Sequence, residues 1–235
     1  MRHRLKNLYL GGIDSLLKPF RKKGQEDPFH QVFRDFLSFV QAVDDPVVLE
    51  LGSRNVSGVR LRNWFPSGCD YTGVDILEGE GVDVVADVHQ LSKAFADGRF
   101  DFVHSMSVFE HLLFPWKAVL ELNAVMKQGG YLYLSTHPVW PEHELPWDFW
   151  RFPKRSFMGL FNEYTGFEII ALDEGLPCKI FSLVDDLPTR RSFEHSANQG
   201  VALIAKKTGE YRRDLLRWDI EISDVVETMY PSRNE

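Results

Sequence analysis

The sequence predicts an α/β fold in which a parallel sheet is covered by helices on both faces. Two observations lead there. Short apolar runs alternate with amphipathic, helix-spaced segments along most of the chain, the order that sets parallel strands side by side through helical crossovers. Three successive apolar runs end in an acid, at Glu50, Asp75 and Asp87, and open α/β sheets bind ligands at the carboxyl ends of their strands.

The elements follow in order. Asp27-Pro28 reads as an N-cap with proline in the first turn. Phe29, Val32, Phe33, Phe36, Leu37 and Val40 then keep helical spacing. Asp44-Asp45-Pro46 closes that helix, and Val47–Leu51 is the first strand. It breaks into Gly52-Ser53-Arg54-Asn55, where Gly52, lacking a Cβ, lets the backbone turn sharply and approach a ligand. A short helix is expected over Val56–Trp64, a second strand over Tyr71–Val74 and a third over Val82–Ala86. Asp75 follows Glu50 by 25 positions; an acid about 20 residues beyond the glycine turn is where ribose hydroxyls are held in dinucleotide-type folds. Helix Gln90–Phe95, strand Phe100–Ser105, helix Pro115–Lys127 with its Gly129-Gly130 stop, and strand Tyr131–Ser135 come next. Helix Lys154–Tyr164 and strands Phe167–Leu172 and Val201–Ala205 complete the domain. Tyr211, Leu215, Trp218, Ile222, Val225, Val226 and Met229 mark a C-terminal amphipathic helix. The organisation expected is a basic leader over 1–26, one domain over 27–207 and a helical extension over 208–235.

Composition narrows the function. The 235 residues carry a net charge of −7, but residues 1–24 are +6, which leaves the rest at −13. An acidic domain is a poor match for a nucleic-acid backbone. The basic leader, with Leu5, Leu8, Leu16, Leu17 and Phe20, suits an anionic membrane surface or a partner protein, or else rests on the acidic domain, since Gly11-Gly12 should interrupt an amphipathic helix. No apolar run nears the roughly 20 residues of a membrane span, and no secretory signal is read at the start. Cys69 and Cys178 are isolated, which suggests a reducing, cytoplasmic setting, peripheral to a membrane if the leader anchors there, and no zinc site.

The segment from His137 to Phe152 leaves the fifth strand at the ligand edge and gathers Trp140, His143, Trp147, Asp148, Phe149, Trp150 and Arg151. An aromatic lid excludes water and offers flat contact surfaces, so an acceptor is expected here. The other reading is that the aromatics cover the sheet edge and Asp148–Arg151 is a structural ion pair.

At this point the chain resembles the class I S-adenosylmethionine-dependent methyltransferases, in their small-molecule, type 11-like group. The resemblance runs from about Val47 to Lys207 and rests on five motifs in order: Val-Leu-Glu-Leu-Gly-Ser at 48–53, Gly-Val-Asp at 73–75, Ala-Asp-Val at 86–88, Phe-Asp-Phe-Val-His-Ser at 100–105 with Val-Phe-Glu-His-Leu at 108–112, and Met-Lys-Gln-Gly-Gly-Tyr-Leu at 126–132. It implies a Rossmann-like sheet of seven strands with the last antiparallel, and S-adenosylmethionine as cofactor. It also implies roles: Glu50 near the methionine amino group, Gly52 and Ser53 along the methionine, Asp75 on both ribose hydroxyls, Ile76 against the adenine, Asp87 and Val88 at the adenine edge, and Ser105 beside the transferred methyl. Arg54 and Val56 stand where the family often has glycine; Arg54 either meets the methionine carboxylate or caps a helix. The fourth strand continues as Ser105-Met106-Ser107-Val108, not as the Asn/Asp-Pro-Pro-aromatic motif of nucleobase amino methylation, and neither cysteine lies in a Pro-Cys catalytic loop like that of cytosine-carbon methylation. A small-molecule, lipid-linked or glycan acceptor is therefore expected, methylated on oxygen or nitrogen. His111 and His137 are the candidate bases, although Glu110-His111 would equally close a helix start. A metal is not expected, because Ser107 occupies the position where related enzymes add a second glutamate. A non-catalytic binding module that keeps the fold is the alternative function. A nicotinamide-dependent oxidoreductase fits less well, since the turn lacks the further glycines a pyrophosphate requires.

Overall fold

A computed structural model describes residues 11–13, 15–21 and 24–215. Its centre is one seven-stranded sheet: β1 Val47–Leu51, β2 Asp70–Asp75, β3 Val84–Val85, β4 Phe100–Met106, β5 Met126–Thr136, β6 Phe167–Lys179 and β7 Ser196–Lys207. The strand order is β3-β2-β1-β4-β5-β7-β6. β1, β2, β3, β4 and β5 pair in parallel, and β7 runs antiparallel to both β5 and β6. The Rossmann-like sheet with an antiparallel last strand is thus as expected. The chain reverses its strand order at β1 and β4, where Glu50 lies beside His104 and Leu51 beside Ser105. A crevice opens at such a switch point.

Helix α1, Pro28–Gln41, starts where Asp27 accepts a hydrogen bond from the Phe29 N–H at 3.1 Å and buries Val32, Phe33, Phe36 and Val40. Phe36 packs against Phe65, Phe102 and Tyr133, so this face is largely aromatic. On the opposite face α2 (Leu91–Ala94), α3 (Pro115–Val125) and α4 (Phe157–Leu160) cover a second core built on Leu49, Leu51, Val103, Leu122, Leu132 and Leu203.

Several expectations are corrected. The helix over 56–64 is only a 3₁₀ turn, Leu61–Trp64. The Asn55 side-chain carbonyl accepts from the Gly58 N–H, and Gly58 has φ +81°, so a side-chain-closed turn replaces the first turn of helix. Helix 154–164 shortens to a 3₁₀ turn and α4. β6 and β7 extend well beyond the apolar cores read in sequence, as an antiparallel pair reaching Lys179 and Ser196. Gly11 and Gly12 are helical rather than interrupting. Tyr211 and Leu215 lie outside helix, and Trp218, Ile222, Val225, Val226 and Met229 lie outside the described residues, as do Leu5 and Leu8. Among the described residues no helix is long and apolar enough to cross a membrane.

Candidate active site

A cavity of about 530 Å³ lies over the carboxyl ends of β1, β2 and β4, within the range of small-molecule and cofactor sites. Glu50, Gly52, Ser53, Arg54, Asp75, Ile76, Asp87 and Val88 line it, and so do His111, His137, Trp140, His143 and Trp147. The cofactor-side and acceptor-side residues expected from sequence therefore meet in one space, with exceptions given below.

The turn after β1 is held by the backbone of β2. The Gly52 and Ser53 N–H groups donate to the Val74 carbonyl at 2.9 and 3.0 Å, and Gly52 has φ +72°. The glycines missing from this turn stand across from it. A Cβ on Gly73 would lie 2.5 Å from the Gly81 carbonyl and 2.7 Å from Ser53, and one on Gly81 (φ +92°) would lie 2.6 Å from the Ser53 carbonyl. A Cβ on Gly79 would strike the Arg54 side chain at 2.8 Å. Clearance for the turn thus comes from β2 and the β2–β3 loop, which sequence reading missed; the Gly-x-Gly at 79–81 was its signal.

Asp75 accepts the Leu77 N–H on Oδ1 at 2.9 Å and the Arg54 N–H on Oδ2 at 3.3 Å. The Arg54 guanidinium lies against it, Nε 3.6 Å from Oδ1, with both side chains mostly buried. Arg54 thus caps no helix here; it lines the cavity while paired with Asp75. Glu50 is buried, which raises its carboxyl above the usual range despite a hydrogen bond from Tyr71. Asp87 is partly buried, but the hydrogen bonds from His89 outweigh burial and hold its carboxyl low. His89 Nε2 accepts the Phe114 N–H at 3.2 Å, so Nδ1 carries the hydrogen that goes to Asp87 at 2.7 Å. Both His89 contacts fall on Asp87 Oδ1. Ser53 Oγ and Arg54 Nε are buried at this turn with no hydrogen-bond partner in the protein. Unpartnered buried polar atoms are costly, and a polar ligand in the cavity would relieve these.

Ser105 is corrected. It is fully buried in β4 and does not line the cavity; Met106 and Ser107 do. Ser107, directly after β4, has φ +53°, and Glu144 in the 137–152 segment has φ +52°, left-handed backbone that is uncommon outside glycine and clusters at functional sites.

Three histidines, His111, His137 and His143, line the cavity opposite the β1 turn. His137 Nδ1 meets the Gln199 carbonyl at 2.9 Å. A carbonyl only accepts, so Nδ1 bears hydrogen, and Nε2 faces Ser107 Oγ at 3.1 Å and Glu110 Oε1 at 3.6 Å. His111 Nδ1 is held by the Trp147 carbonyl. His143 Nδ1 lies 3.2 Å from the Pro141 carbonyl and 3.4 Å from Asp148. Trp140 stacks on His137 at 4.5 Å.

Asp148, Trp150 and Arg151 do not line the cavity. Arg151 makes a two-pronged pair with Asp148 at 2.6 and 2.7 Å and also donates to the Trp140 and Pro141 carbonyls at 3.0 Å. Its guanidinium holds the Asp148 carboxyl down at about 2. The structural ion pair is therefore the correct reading for these two, and Trp150 packs outward on Trp116 while donating to the Leu113 carbonyl.

Comparison with known proteins fits this architecture. A family model described as a methyltransferase domain matches residues 1–172. The chain belongs to the methyltransferase-domain family. It is a class I methyltransferase by fold, and its cofactor is S-adenosylmethionine. Among solved structures, a SAM-dependent methyltransferase from Archaeoglobus fulgidus is 21% identical with a TM-score of 0.55, the match covering 74% of this chain and 91% of that one. The Burkholderia thailandensis 1,6-didemethyltoxoflavin-N1-methyltransferase, with bound 1,6-didemethyltoxoflavin and S-adenosylhomocysteine, is 13% identical with a TM-score of 0.53, covering 89% and 91%. A methyltransferase of Haloferax volcanii in complex with the Trm112 activator is 19% identical with a TM-score of 0.52, covering 81% and 94%. These likenesses establish the methyltransferase fold. A search of curated proteins finds no match.

Proposed function

We propose that this methyltransferase acts on an oxygen or nitrogen of a small-molecule, lipid-linked or glycan acceptor seated under the 137–152 segment. The observation that carries the reading is His137: it lines the same cavity as the strand-end acids, its Nδ1 is fixed on the Gln199 carbonyl of β7, and its Nε2 accepts from the hydroxyl of Ser107, another lining residue. Bound S-adenosylmethionine supplies an electrophilic methyl group on its sulfonium. Glu50 receives the methionine amino group, Asp75 the ribose hydroxyls, and Asp87 with the Val88 N–H the adenine edge. Two hydroxyls suit the two oxygens of an ionised carboxylate. Arg54 gives up its contact with Asp75 or shares it. Trp140 and Trp147 wall the acceptor and exclude water, while His137 orients its hydroxyl or amine and takes its proton at Nε2. His111 braces the lid through the Trp147 carbonyl. The Burkholderia relative in fold holds a small molecule together with S-adenosylhomocysteine, a precedent for an acceptor of this size.

The test pairs two variants. Asp75→Ala should cost about 1.5–3 kcal/mol of S-adenosylhomocysteine affinity, the scale of a charged hydrogen bond. His137→Ala should leave that affinity within a few-fold and lower methyl transfer about 100-fold, read by mass spectrometry of cell extracts incubated with labelled cofactor. Unchanged affinity in a folded Asp75→Ala protein, or full transfer by His137→Ala, would overturn the corresponding half.

A further inference from the structure

We propose that Glu110, His111 and His143 form a binding site for a divalent transition-metal ion on the acceptor side of the cavity. One potential ligand atom from each lies within 4.8 Å of the other two. Two imidazoles and one carboxylate are the donor set of many zinc and non-haem iron sites, whereas magnesium prefers oxygen throughout.

Two independent features of the surroundings point the same way. The Glu110 side chain is completely buried; its Oε2 accepts from Thr136 Oγ1 at 2.6 Å, but its Oε1 has no hydrogen-bond partner, with His137 Nε2 3.6 Å away, beyond hydrogen-bond distance. A buried carboxylate oxygen with no donor is costly, and a cation would satisfy it. The two histidines are also prepared as ligands. Metal-bound imidazoles give their second N–H to a carbonyl or carboxylate, which fixes tautomer and ring plane. His111 Nδ1 is on the Trp147 carbonyl, and His143 Nδ1 is on the Pro141 carbonyl with Asp148 alongside. In both rings Nε2 becomes the ligand atom.

The fold explains why sequence did not predict this. In sequence the further ligand position falls at Ser107, three residues before Glu110. The third ligand comes instead from His143, carried back by the segment that Arg151 pins through Asp148. Metal bonds of about 2.0–2.2 Å set ligand atoms roughly 3–4 Å apart, so the three must draw in by about 1 Å. His143 is the part-exposed member, on a loop, and supplies that movement. An ion here would tie the 137–152 segment to the exit of β4. Its open coordination positions would face the cavity, where they could orient and acidify an acceptor hydroxyl. That role rests on the methyl-transfer reading above; the binding itself does not.

The untagged full chain, titrated by calorimetry with Zn²⁺, Co²⁺ and Mg²⁺ separately, tests the site. We expect one equivalent of Zn²⁺ or Co²⁺, visible Co²⁺ bands of a low-coordinate nitrogen–oxygen site, and no competition from Mg²⁺. Glu110→Gln and His143→Ala should each weaken Co²⁺ binding about tenfold or more, with circular dichroism confirming the fold. His143 lies outside the core, so its variant keeps the test decisive if Glu110→Gln fails to fold. No binding, equal binding of Mg²⁺, or unchanged affinity in folded His143→Ala would overturn the site. S-adenosylhomocysteine titrated into the same samples reports on the cofactor site separately: metal binding without it would sink the methyl-transfer reading alone, and the reverse would sink the ion alone.

Discussion

Tyr71 on β2 donates its hydroxyl hydrogen to Glu50 on β1 at 2.7 Å, from behind the cavity wall. His104 on β4 stands 2.7 Å from the same hydroxyl. Tyr71 has one hydrogen and spends it on Glu50, so His104 Nε2 donates and its Nδ1 is left buried without a partner. Three adjacent strands thereby orient the carboxylate assigned to the methionine amino group.

Tyr71→Phe should therefore weaken the cofactor. Burial already raises the Glu50 carboxyl, and the Tyr71 bond opposes that rise. Glu50 must be ionised to hold an ammonium group, so affinity should increase as pH rises through its raised pKa. Removing Tyr71 should move that midpoint upward and cost about 1–3 kcal/mol at neutral pH. Calorimetric titration of S-adenosylhomocysteine across the acid-to-neutral range reads both effects; a pH profile identical to the parent would refute the relay.

His104 gives a stability signature. Burial lowers its imidazole from 6.5 to about 3. Between those values the unfolded chain binds the proton and the folded chain does not, so stability increases with pH there. The contribution is complete above 6.5 and lost as pH falls toward 3. His104→Gln keeps a donor for Tyr71 and removes the titration. Denaturant unfolding followed from pH 7 to about 4.5 should fall less steeply for this variant than for the parent; equal slopes would show that other groups carry the acid sensitivity.

How far the sequence revealed this site depends on what each residue needed. The strand-end acids were readable because a charge directly after an apolar run has a fixed place at the sheet edge: Glu50, Asp75 and Asp87 all line the cavity. So were α1, with Asp27 as its cap, and the parallel order of β1, β2 and β4. Residues whose role lies between distant segments were not. Tyr71 and His104 read simply as strand residues, and only the pairing of three strands makes them a relay. Asp148 and Arg151 carry the polar chemistry expected of an acceptor site, yet spend it on each other. Ser105 falls one step short of the edge because β4 continues through Met106. His143 joins Glu110 only through a loop whose path no periodicity encodes.

The facing glycines lead to a packing prediction. Gly73 sits where a Cβ would meet the Gly81 carbonyl at 2.5 Å and Ser53 at 2.7 Å. Backbone cannot swing aside as a flexible side chain can, so Gly73→Ala should cost about 1–3 kcal/mol, roughly 2–12 °C in Tm. It should also weaken the cofactor, since the displaced segment is the turn that lines its site. A Cβ on Gly159 in α4 would meet nothing within 4 Å, so Gly159→Ala should leave Tm unchanged or raise it slightly. Thermal unfolding of the two variants side by side decides the point: equal Tm values would mean that the turn has slack.

The last prediction separates the residues that hold the lid from the one that faces the acceptor. Arg151 grips Asp148 and the Trp140 and Pro141 carbonyls, and Asp148 in turn accepts the His143 N–H at 2.9 Å. Arg151→Ala therefore releases the loop while leaving the strand-end acids untouched. Cofactor affinity should stay within a few-fold. The apparent KM for an identified acceptor should rise, and turnover should fall by up to about 100-fold, because positional errors of about 1 Å cost that much. Limited proteolysis should cut the 137–152 segment faster. His137→Ala should show the opposite balance. Its ring stacks on Trp140, but the Arg151 contacts survive its loss, so proteolysis of the segment should stay near the parental rate while turnover falls. Arg151→Lys retains the charge but cannot make the two-pronged contact, and it should lie between Arg151→Ala and the parent in both proteolysis and KM. If Arg151→Ala leaves proteolysis and KM unchanged, the ion pair is incidental and the loop is held by its buried aromatics, Trp147 foremost.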